Sequence, residues 1–391
     1  MQRAYTKNNT LIKSDCHSLL HSIVRSGVGV EQQGKMLDIW ASVTNWRVVT
    51  NEIELHGLAP LALQHIEQHR IAVPSKVKLT LNALQLRHTA ISTTRYKILK
   101  QIHQQFDDNG IQFIALKGLA LSQLIYAEAA QRPMRDIDIL VSASQLDAAR
   151  EGLIGLGFEI PDMYASDYMQ GVHQLPDATK TVDGFTISVE LHHNTMPRDV
   201  FDSLTFEKGI INPQYTRWHD VPITTLNHTL MLHHLCRHLQ SQHPDDTIKL
   251  INVVDIIGYI NTFGDEINWH TLSKKYSHVI NTLRCLHYIA PLPESWRHSV
   301  PDLPEPTQHP LQGVGKCMPA LSRIIGNNTQ SKNKTSKTKQ LLSPPQWWLH
   351  LHYSINPSHS LFAARIWHHP VRVLRMLLLR VTSKLRSVYT T

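Results

Sequence analysis

Hydrophobic and polar residues alternate along residues 134–141, and this period of two predicts a β-strand. Successive side chains of a strand point to opposite faces. The isoleucines and the valine of this run therefore share one face, which suits a core, while Asp136 and Asp138 share the other. The predicted strand has two carboxylates side by side on its polar face.

A second alternating stretch, residues 185–192, predicts another strand. It follows Asp183-Gly184, a dipeptide typical of tight hairpin turns. If this strand lies beside the first one with its apolar face in the same core, Glu190 joins Asp136 and Asp138 on one polar surface.

The short apolar run at residues 113–116 predicts a third strand, which ends at Lys117-Gly118 before a helical pattern at residues 119–126. A strand, a glycine turn and a helix N-terminus in this order present backbone N–H groups and the positive end of a helix dipole, which suit a phosphate group. The side chain of Lys117 adds a positive charge at the same corner.

Apolar residues recur at helical intervals through much of the remaining chain. A helix start is expected after Pro74, a helix end at Gly157, and a short strand at residues 158–160. The predicted helical stretches are residues 15–105, 144–156, 226–239 and 248–262.

Asp136, Asp138 and Glu190 together predict a metal site. Like charges placed side by side repel, and a fold retains them most readily around a cation. An Asp-x-Asp pair alone is commonly a solvated strand end, so the prediction depends on the third carboxylate and on the turn at Lys117-Gly118. Three carboxylates on neighbouring strands beside a phosphate-binding turn are typical of two-metal phosphoryl or nucleotidyl transfer.

Five motifs lie in order along the chain: Leu116-Lys117-Gly118, Arg132, Arg135 to Val141, Gly157-Phe158, and Val189 to His192. In this order they resemble the motifs of the uncharacterised nucleotidyltransferase family, within the DNA polymerase beta-like superfamily. A looser similarity extends over residues 40–62 and 232–272, and the second of these stretches includes Asp255. The resemblance implies an α+β fold, with a mixed-sheet polymerase-beta-like nucleotidyltransferase core flanked by N-terminal and C-terminal helical regions.

The resemblance also implies roles for the three carboxylates. Asp136 and Asp138 are expected to hold two Mg²⁺ ions, with Mn²⁺ as the alternative metal. Glu190 is expected to bind the catalytic metal and to accept the proton of the attacking group. Two residues depart from the superfamily pattern: Lys117-Gly118 stands where Gly-Ser is usual, and Glu190 stands where aspartate is commoner.

The expected reaction is the transfer of a nucleoside monophosphate from a nucleoside triphosphate, such as ATP, to a hydroxyl group of a small molecule, a sugar or a protein. The phosphates are expected to bind near Lys117 and Gly118. Arg132 and Arg135 are further phosphate-binding candidates, although arginines at a strand entrance are commonly solvated or ion-paired. The alternative hypothesis is a catalytically inactive family member that acts as a binding or regulatory component of a surface-polysaccharide or natural-product pathway. Retention of all three carboxylates favours the enzyme.

The net charge of +8 is unevenly distributed. Ten of the 39 Lys and Arg residues, and none of the 31 Asp and Glu residues, follow residue 325, so residues 1–325 have a net charge of −2. A protein that tracks long nucleic acid would carry positive charge near its site, so we expect no long nucleic-acid substrate. Four widely separated cysteines, no apolar leader and no apolar run of about 20 residues predict a cytoplasmic protein.

The basic C-terminal part divides into two segments. Residues 326–340 are mostly Asn, Thr, Ser and Lys and predict a flexible basic linker. Residues 341–391 contain an apolar and basic stretch at 371–386, which either lies on an anionic membrane surface or packs on the protein. The predicted domains are residues 1–108 (N-terminal helical region), 109–215 (nucleotidyltransferase core), 216–325 (helical domain), 326–340 (linker) and 341–391 (basic C-terminal segment).

The 26 histidines invite a second metal hypothesis. His234 and His238 are one helical turn apart, a spacing that suits zinc, but no third ligand accompanies them, so a polar helix face is favoured. His192 shares the strand face of Glu190. We expect it to support the neighbouring carboxylates rather than to bind the nucleotide.

Overall fold

The computed structural model describes residues 16, 18–25, 33–161, 173–196, 203–241, 249–287, 289–301, 303, 349 and 360–374. The linker predicted at residues 326–340 lies outside these residues, as does most of the stretch at 371–386. Two compact units are formed, each from segments that are separated in the sequence. One unit contains residues 1–96, 117–134 and 228–329, and the other contains residues 97–116, 135–227 and 330–391.

Helices account for most of the first unit. Among the described residues from 33 to 303, the α-helices in chain order are α1 (Gln33–Ala41), α2 (Trp46–Leu55), α3 (Ala59–Gln68), α4 (Ser75–Asp108), α5 (Lys117–Leu124), α6 (Leu146–Gly155), α7 (Phe206–Gly209), α8 (His228–Ser241), α9 (Ile251–Phe263), α10 (Trp269–Lys275), α11 (Ser277–Leu286) and α12 (Glu294–Arg297). Of these, α6 and α7 belong to the second unit, and α4 continues from the first unit into the second. The predicted helix start after Pro74 is confirmed, because α4 begins at Ser75.

The second unit is built on a six-stranded mixed sheet. Its strands are β1 (Phe113–Ala115), β2 (Asp136–Val141), β3 (Ala178–Val182), β4 (Phe185–His192), β5 (Gln214–Trp218) and β6 (Val221–Thr225). The strand order is β3-β4-β2-β1-β6-β5, in which β2 and β4 run parallel, as do β1 and β6, and the other neighbours run antiparallel. The α+β class with a mixed sheet, predicted from the sequence, is confirmed.

Local sequence signals explain how the central strands are connected. Asp183 and Gly184 both have left-handed backbones, with φ of 53° and 79°, and they join β3 to β4 as the predicted tight hairpin. Gly157, with φ of 81°, ends α6, and the N–H of Phe158 donates to the carbonyl of Leu153 at 3.0 Å. The prediction of a strand at residues 158–160 is wrong, because Glu159 alone of these residues pairs with another strand, through an isolated bridge to Thr179.

The centre of the sheet is tightly buried. Ile137, Ile139 and Val141 of β2 have no exposed surface, and neither have Ile187 and Val189 of β4. Burial of these β-branched side chains fixes which face of each strand points into the core, since a shift of one residue would expose them. The carboxylates of both strands are consequently held on the opposite face. No helix among the described residues is long and apolar enough to cross a membrane.

Candidate metal and nucleotide site

Asp138 and Glu190 lie next to each other because of the register between β2 and β4. The two strands pair in parallel with Asp138 opposite Glu190 and Asp136 opposite Ser188. Directly opposed residues on neighbouring strands have side chains on the same face, a few ångströms apart. Asp138 is 2% exposed, whereas the side chain of Glu190 is 16% exposed. Asp138 and Glu190 therefore lie side by side in the structure, as the sequence predicted.

His192 completes this cluster. It follows Glu190 by two residues on β4, which places both on one face. Its Nε2 atom lies 3.1 Å from Oδ1 of Asp138 and 3.3 Å from Oε2 of Glu190, and its side chain is 2% exposed. The imidazole thus contacts both carboxylates. In the tautomer with the proton on Nε2 it can donate to Asp138, and in the tautomer with the proton on Nδ1 the lone pair of Nε2 can bind a cation. The sequence placed His192 on the correct face but gave no measure of how closely it approaches the two acids.

The geometry of Asp138, Glu190 and His192 fits a divalent cation. Each residue offers one ligand atom, and the three atoms all lie within 4.8 Å of one another. Ligand atoms about 2.1 Å from an ion such as Mg²⁺ are separated by about 3–4 Å. The two distances from Nε2 already fall in that range. Carboxylate oxygens suit Mg²⁺ and Mn²⁺, and an imidazole nitrogen is a better ligand for transition metals than for Mg²⁺.

Asp136 occupies the preceding position on the same face of β2 and is half-buried. It is not part of the close group formed by Asp138, Glu190 and His192. The structure therefore brings together two of the three predicted carboxylates with a histidine, and it places Asp136 one strand position further along the same face. Its predicted role as a metal ligand stays a prediction.

Two further residues near this cluster were not predicted from the sequence. Asp177 lies just before β3, and loss of hydration together with the negative charges of Glu190 and Asp138 raises its pKa above the usual value. The ring of His173 lies 5.7 Å from that of His192, centre to centre. Both residues belong to an irregular segment that has no hydrophobic periodicity, so only their charge or ring could have suggested a role. Burial is the largest cause of this shift, and the two neighbouring carboxylates add to it.

The predicted phosphate-binding turn has an unusual backbone. Leu116 donates its N–H to the carbonyl of Asp138 at 3.1 Å, and the next residue, Lys117, begins α5 with φ of 42°. A left-handed backbone is uncommon for a residue with a side chain and costs about 1–3 kcal/mol. The role predicted for Lys117 in phosphate binding stays a prediction.

Gly118 lies where no larger residue fits. A Cβ atom at this position would clash with Nη1 of Arg132 and would lie 2.8 Å from Cγ of Met134. The glycine therefore allows the side chain of Arg132 to cross the first turn of α5. This close approach, rather than a positive φ, explains the glycine at this position.

Arg132 forms a nearly buried ion pair with Asp255 of α9. Its Nη2 atom donates to Oδ2 of Asp255 at 2.7 Å, and the two side chains are 11% and 2% exposed. The hydroxyl group of Tyr126 donates to Oδ1 of the same carboxylate, also at 2.7 Å. Burial and then the charge of Asp255 raise the pKa of Tyr126 well above its usual value, so the phenol stays protonated as a donor.

The ion pair is one of the two roles that the sequence left open for Arg132, and phosphate binding by this residue stays a prediction. Arg135 is exposed immediately before β2, and its phosphate-binding role also stays a prediction. His234 and His238 have ring centres 6.4 Å apart, and within the described residues they belong to no group of three close metal ligands.

The first unit contains a cavity of about 240 Å³ between α3, α9 and the segment after α5. None of the predicted site residues lines it. Its polar lining consists of Gln64, Gln68, Gln131, His65 and Tyr126. Burial lowers the pKa of His65 to about 4, with a smaller contribution from His69, so this histidine is neutral at pH 7. The lining thus carries no formal charge.

Comparison with known proteins identifies the family. The family model described as uncharacterised nucleotidyltransferase matches residues 42–298, which is more than half of the chain. The chain belongs to this family, and the resemblance seen in the motifs is confirmed. The matched range contains all of the predicted site residues as well as Asp255. No curated protein and no solved structure matches the chain.

The left-handed backbone of Lys117 leads to a prediction. Changing Lys117 to glycine should increase the free energy of unfolding by up to about 1 kcal/mol, because glycine adopts positive φ without a steric cost. The same change should weaken nucleoside triphosphate binding, because the amine is lost. Urea denaturation and nucleotide titration measure the two effects. Lys117→Met is the control: it should weaken binding equally but give no gain in stability. Unchanged binding by both variants would exclude Lys117 from the phosphate site.

Proposed function

We propose that this protein is a divalent-metal-dependent nucleotidyltransferase with a polymerase-beta-like core. The hydroxyl oxygen of a small-molecule, sugar or protein acceptor attacks the α-phosphorus of a nucleoside triphosphate. The bond between the α-phosphorus and the bridging oxygen breaks, the nucleoside monophosphate is transferred to the acceptor, and pyrophosphate is released. The observation that carries the proposal is the parallel pairing of β2 with β4, which sets Asp138 beside Glu190. Membership of the nucleotidyltransferase family supports the reaction class.

In this proposal, Asp138, Glu190 and His192 would hold one divalent ion, and Asp136 with Asp138 would hold a second. Bound Mg²⁺ or Mn²⁺ would neutralise the charge of the triphosphate and lower the pKa of the acceptor hydroxyl. The two buried side chains, Asp138 and His192, fix the geometry of the site because neither can rotate into solvent. The more exposed Glu190 accepts the proton of the hydroxyl at a carboxylate oxygen.

Lys117, Arg132 and Arg135 are assigned to the phosphates of the nucleotide. Lys117 acts as a point charge, since an ammonium group lacks the bidentate geometry of arginine. The near-neutral charge of residues 1–325 supports an acceptor other than long nucleic acid.

Metal-dependent nucleotide binding tests the proposal before the acceptor is known. The melting temperature should rise when a nucleoside triphosphate and Mg²⁺ or Mn²⁺ are added together, by more than with either alone, because a ligand that binds only the folded state stabilises it. A ligand at about 100 times its Kd contributes about 2.7 kcal/mol. Glu190→Gln should abolish the joint effect.

The absence of a shift for any of the four common ribonucleoside triphosphates, with either metal, would contradict the proposal and favour a catalytically inactive binding protein. If a shift is found, incubation with α-labelled triphosphates and a cell lysate should show which molecules become labelled. A label that appears with the wild-type protein and not with Glu190→Gln identifies the acceptor.

A further inference from the structure

The helix at residues 362–374 exposes a large apolar surface. Near its start, Ala364–His368 form a π-helical turn, a rare conformation that is frequently found at functional sites. Five large apolar side chains of this helix are between 45% and 70% exposed: Phe362, Ile366, Trp367, Val371 and Leu374. They will be called the exposed apolar face.

The opposite side of this helix is buried. Ala364 is fully buried and forms a small core with Leu349 and Leu361, and His369 and Val373 are each 5% exposed. The helix therefore packs through Ala364, His369 and Val373, while the aromatic side chains of Phe362 and Trp367 face solvent. Contiguous exposed apolar surface of this kind usually marks an interaction site.

The charge around the exposed apolar face is entirely positive in the sequence. Arg365 is exposed on the helix and Arg372 is half-buried. From residue 326 to residue 391 there are ten Lys and Arg residues and no Asp or Glu. A helix whose exposed side chains are apolar, aromatic and basic is complementary to a membrane surface, which has anionic headgroups above an apolar interior.

We propose that the exposed apolar face of the 362–374 helix docks on an anionic phospholipid surface. Trp367 and Phe362 enter the headgroup region, where amphipathic and aromatic side chains are most stable, and the exposed Arg365 pairs with lipid phosphates. The helix lies in the plane of the interface. This inference does not depend on the proposed nucleotidyl transfer.

Vesicle sedimentation with the full chain tests this inference. The protein should sediment with vesicles of phosphatidylcholine containing phosphatidylglycerol, and much less with vesicles of phosphatidylcholine alone, and added salt should weaken the binding. The combined change Ile366→Ser and Trp367→Ser should lower the partition coefficient by at least about tenfold, because each side chain contributes through the apolar surface that it buries.

A matched control is available on α4, where Leu79 and Leu86 are each 71% exposed. The combined change Leu79→Ser and Leu86→Ser should leave vesicle binding unchanged, and both double variants should retain the wild-type melting temperature since all four residues are exposed.

Three results would overturn the inference: no binding to anionic vesicles, equal loss of binding in both double variants, or a wild-type dimer that the Ile366 and Trp367 changes dissociate. The last result would assign the face to a second copy of the chain.

Discussion

Replacing Asp138 with asparagine is expected to lower the rate of nucleotidyl transfer by about 10²–10³-fold, the size of effect seen when one preorganised electrostatic group is removed from an active site. Asparagine keeps an oxygen that accepts a hydrogen bond from His192, but it loses the negative charge that a divalent ion requires. Because asparagine has nearly the shape of aspartate and keeps the hydrogen bond with His192, the melting temperature of the metal-free protein should change little.

The measurement combines labelled nucleotide transfer with thermal melting. Asp183→Asn is the matched control, since Asp183 lies in the same unit, is exposed and forms a surface ion pair with Lys97 at 3.0 Å. Surface pairs of this kind contribute about 0–1 kcal/mol, and asparagine tolerates the left-handed backbone at this position. A variant Asp138→Asn that melts at a lower temperature but transfers nucleotide normally would show that Asp138 has a structural role only.

The second large effect is expected from Asp255→Ala, which should lower the free energy of unfolding by about 3–5 kcal/mol. This change leaves the guanidinium of Arg132 in a nearly buried position without its carboxylate, and it removes the acceptor of the Tyr126 hydroxyl. Removing one partner of the ion pair destabilises the protein more than removing both partners, because it leaves a buried charge without a counter-charge. Urea denaturation followed by circular dichroism measures it.

Replacing all three residues of this network with apolar residues distinguishes the cost of an unpaired buried charge from the cost of lost packing. The combined change Arg132→Met, Asp255→Leu and Tyr126→Phe should recover most of the stability lost in Asp255→Ala, since no buried polar group is left unpaired. Tyr126→Phe alone should cost about 1 kcal/mol. If the free energy of unfolding of Asp255→Ala lies within about 1 kcal/mol of the wild-type value, the ion pair does not stabilise the packing of α9 on the segment after α5.

The strands that carry the site were predictable because each combines two strong local signals. β4 alternates from Phe185 to His192 without interruption and follows a dipeptide suited to a tight turn, and its observed bounds match the prediction. Alternation also identified the face on which Asp138 and Glu190 lie. The pairing of β2 with β4 was only an assumption, since a period of two determines the face of a strand but not its neighbour.

The parts of the site that were missed depend on contacts without a local pattern. Asp177 and His173 come from irregular backbone, where no periodicity indicates which way a side chain points. The partner of Arg132 is 123 residues away in the sequence, and only the family resemblance drew attention to Asp255. The exposed apolar face was hidden for a different reason: the sequence shows that residues 362–374 are apolar and basic but not which side of the helix is covered.

The parallel pairing of β2 and β4 has a consequence for how the chain folds. Asp138 and His192 are 54 residues apart, so a long loop must close before the cluster exists, and closure of non-local contacts is slow. The hairpin of β3 and β4 can form early, since its strands are adjacent, but it contributes only Glu190 and His192. A nascent or partly folded chain in which β2 has not yet paired with β4 therefore lacks the complete cluster of Asp138, Glu190 and His192, and activity should appear during refolding only after this pairing.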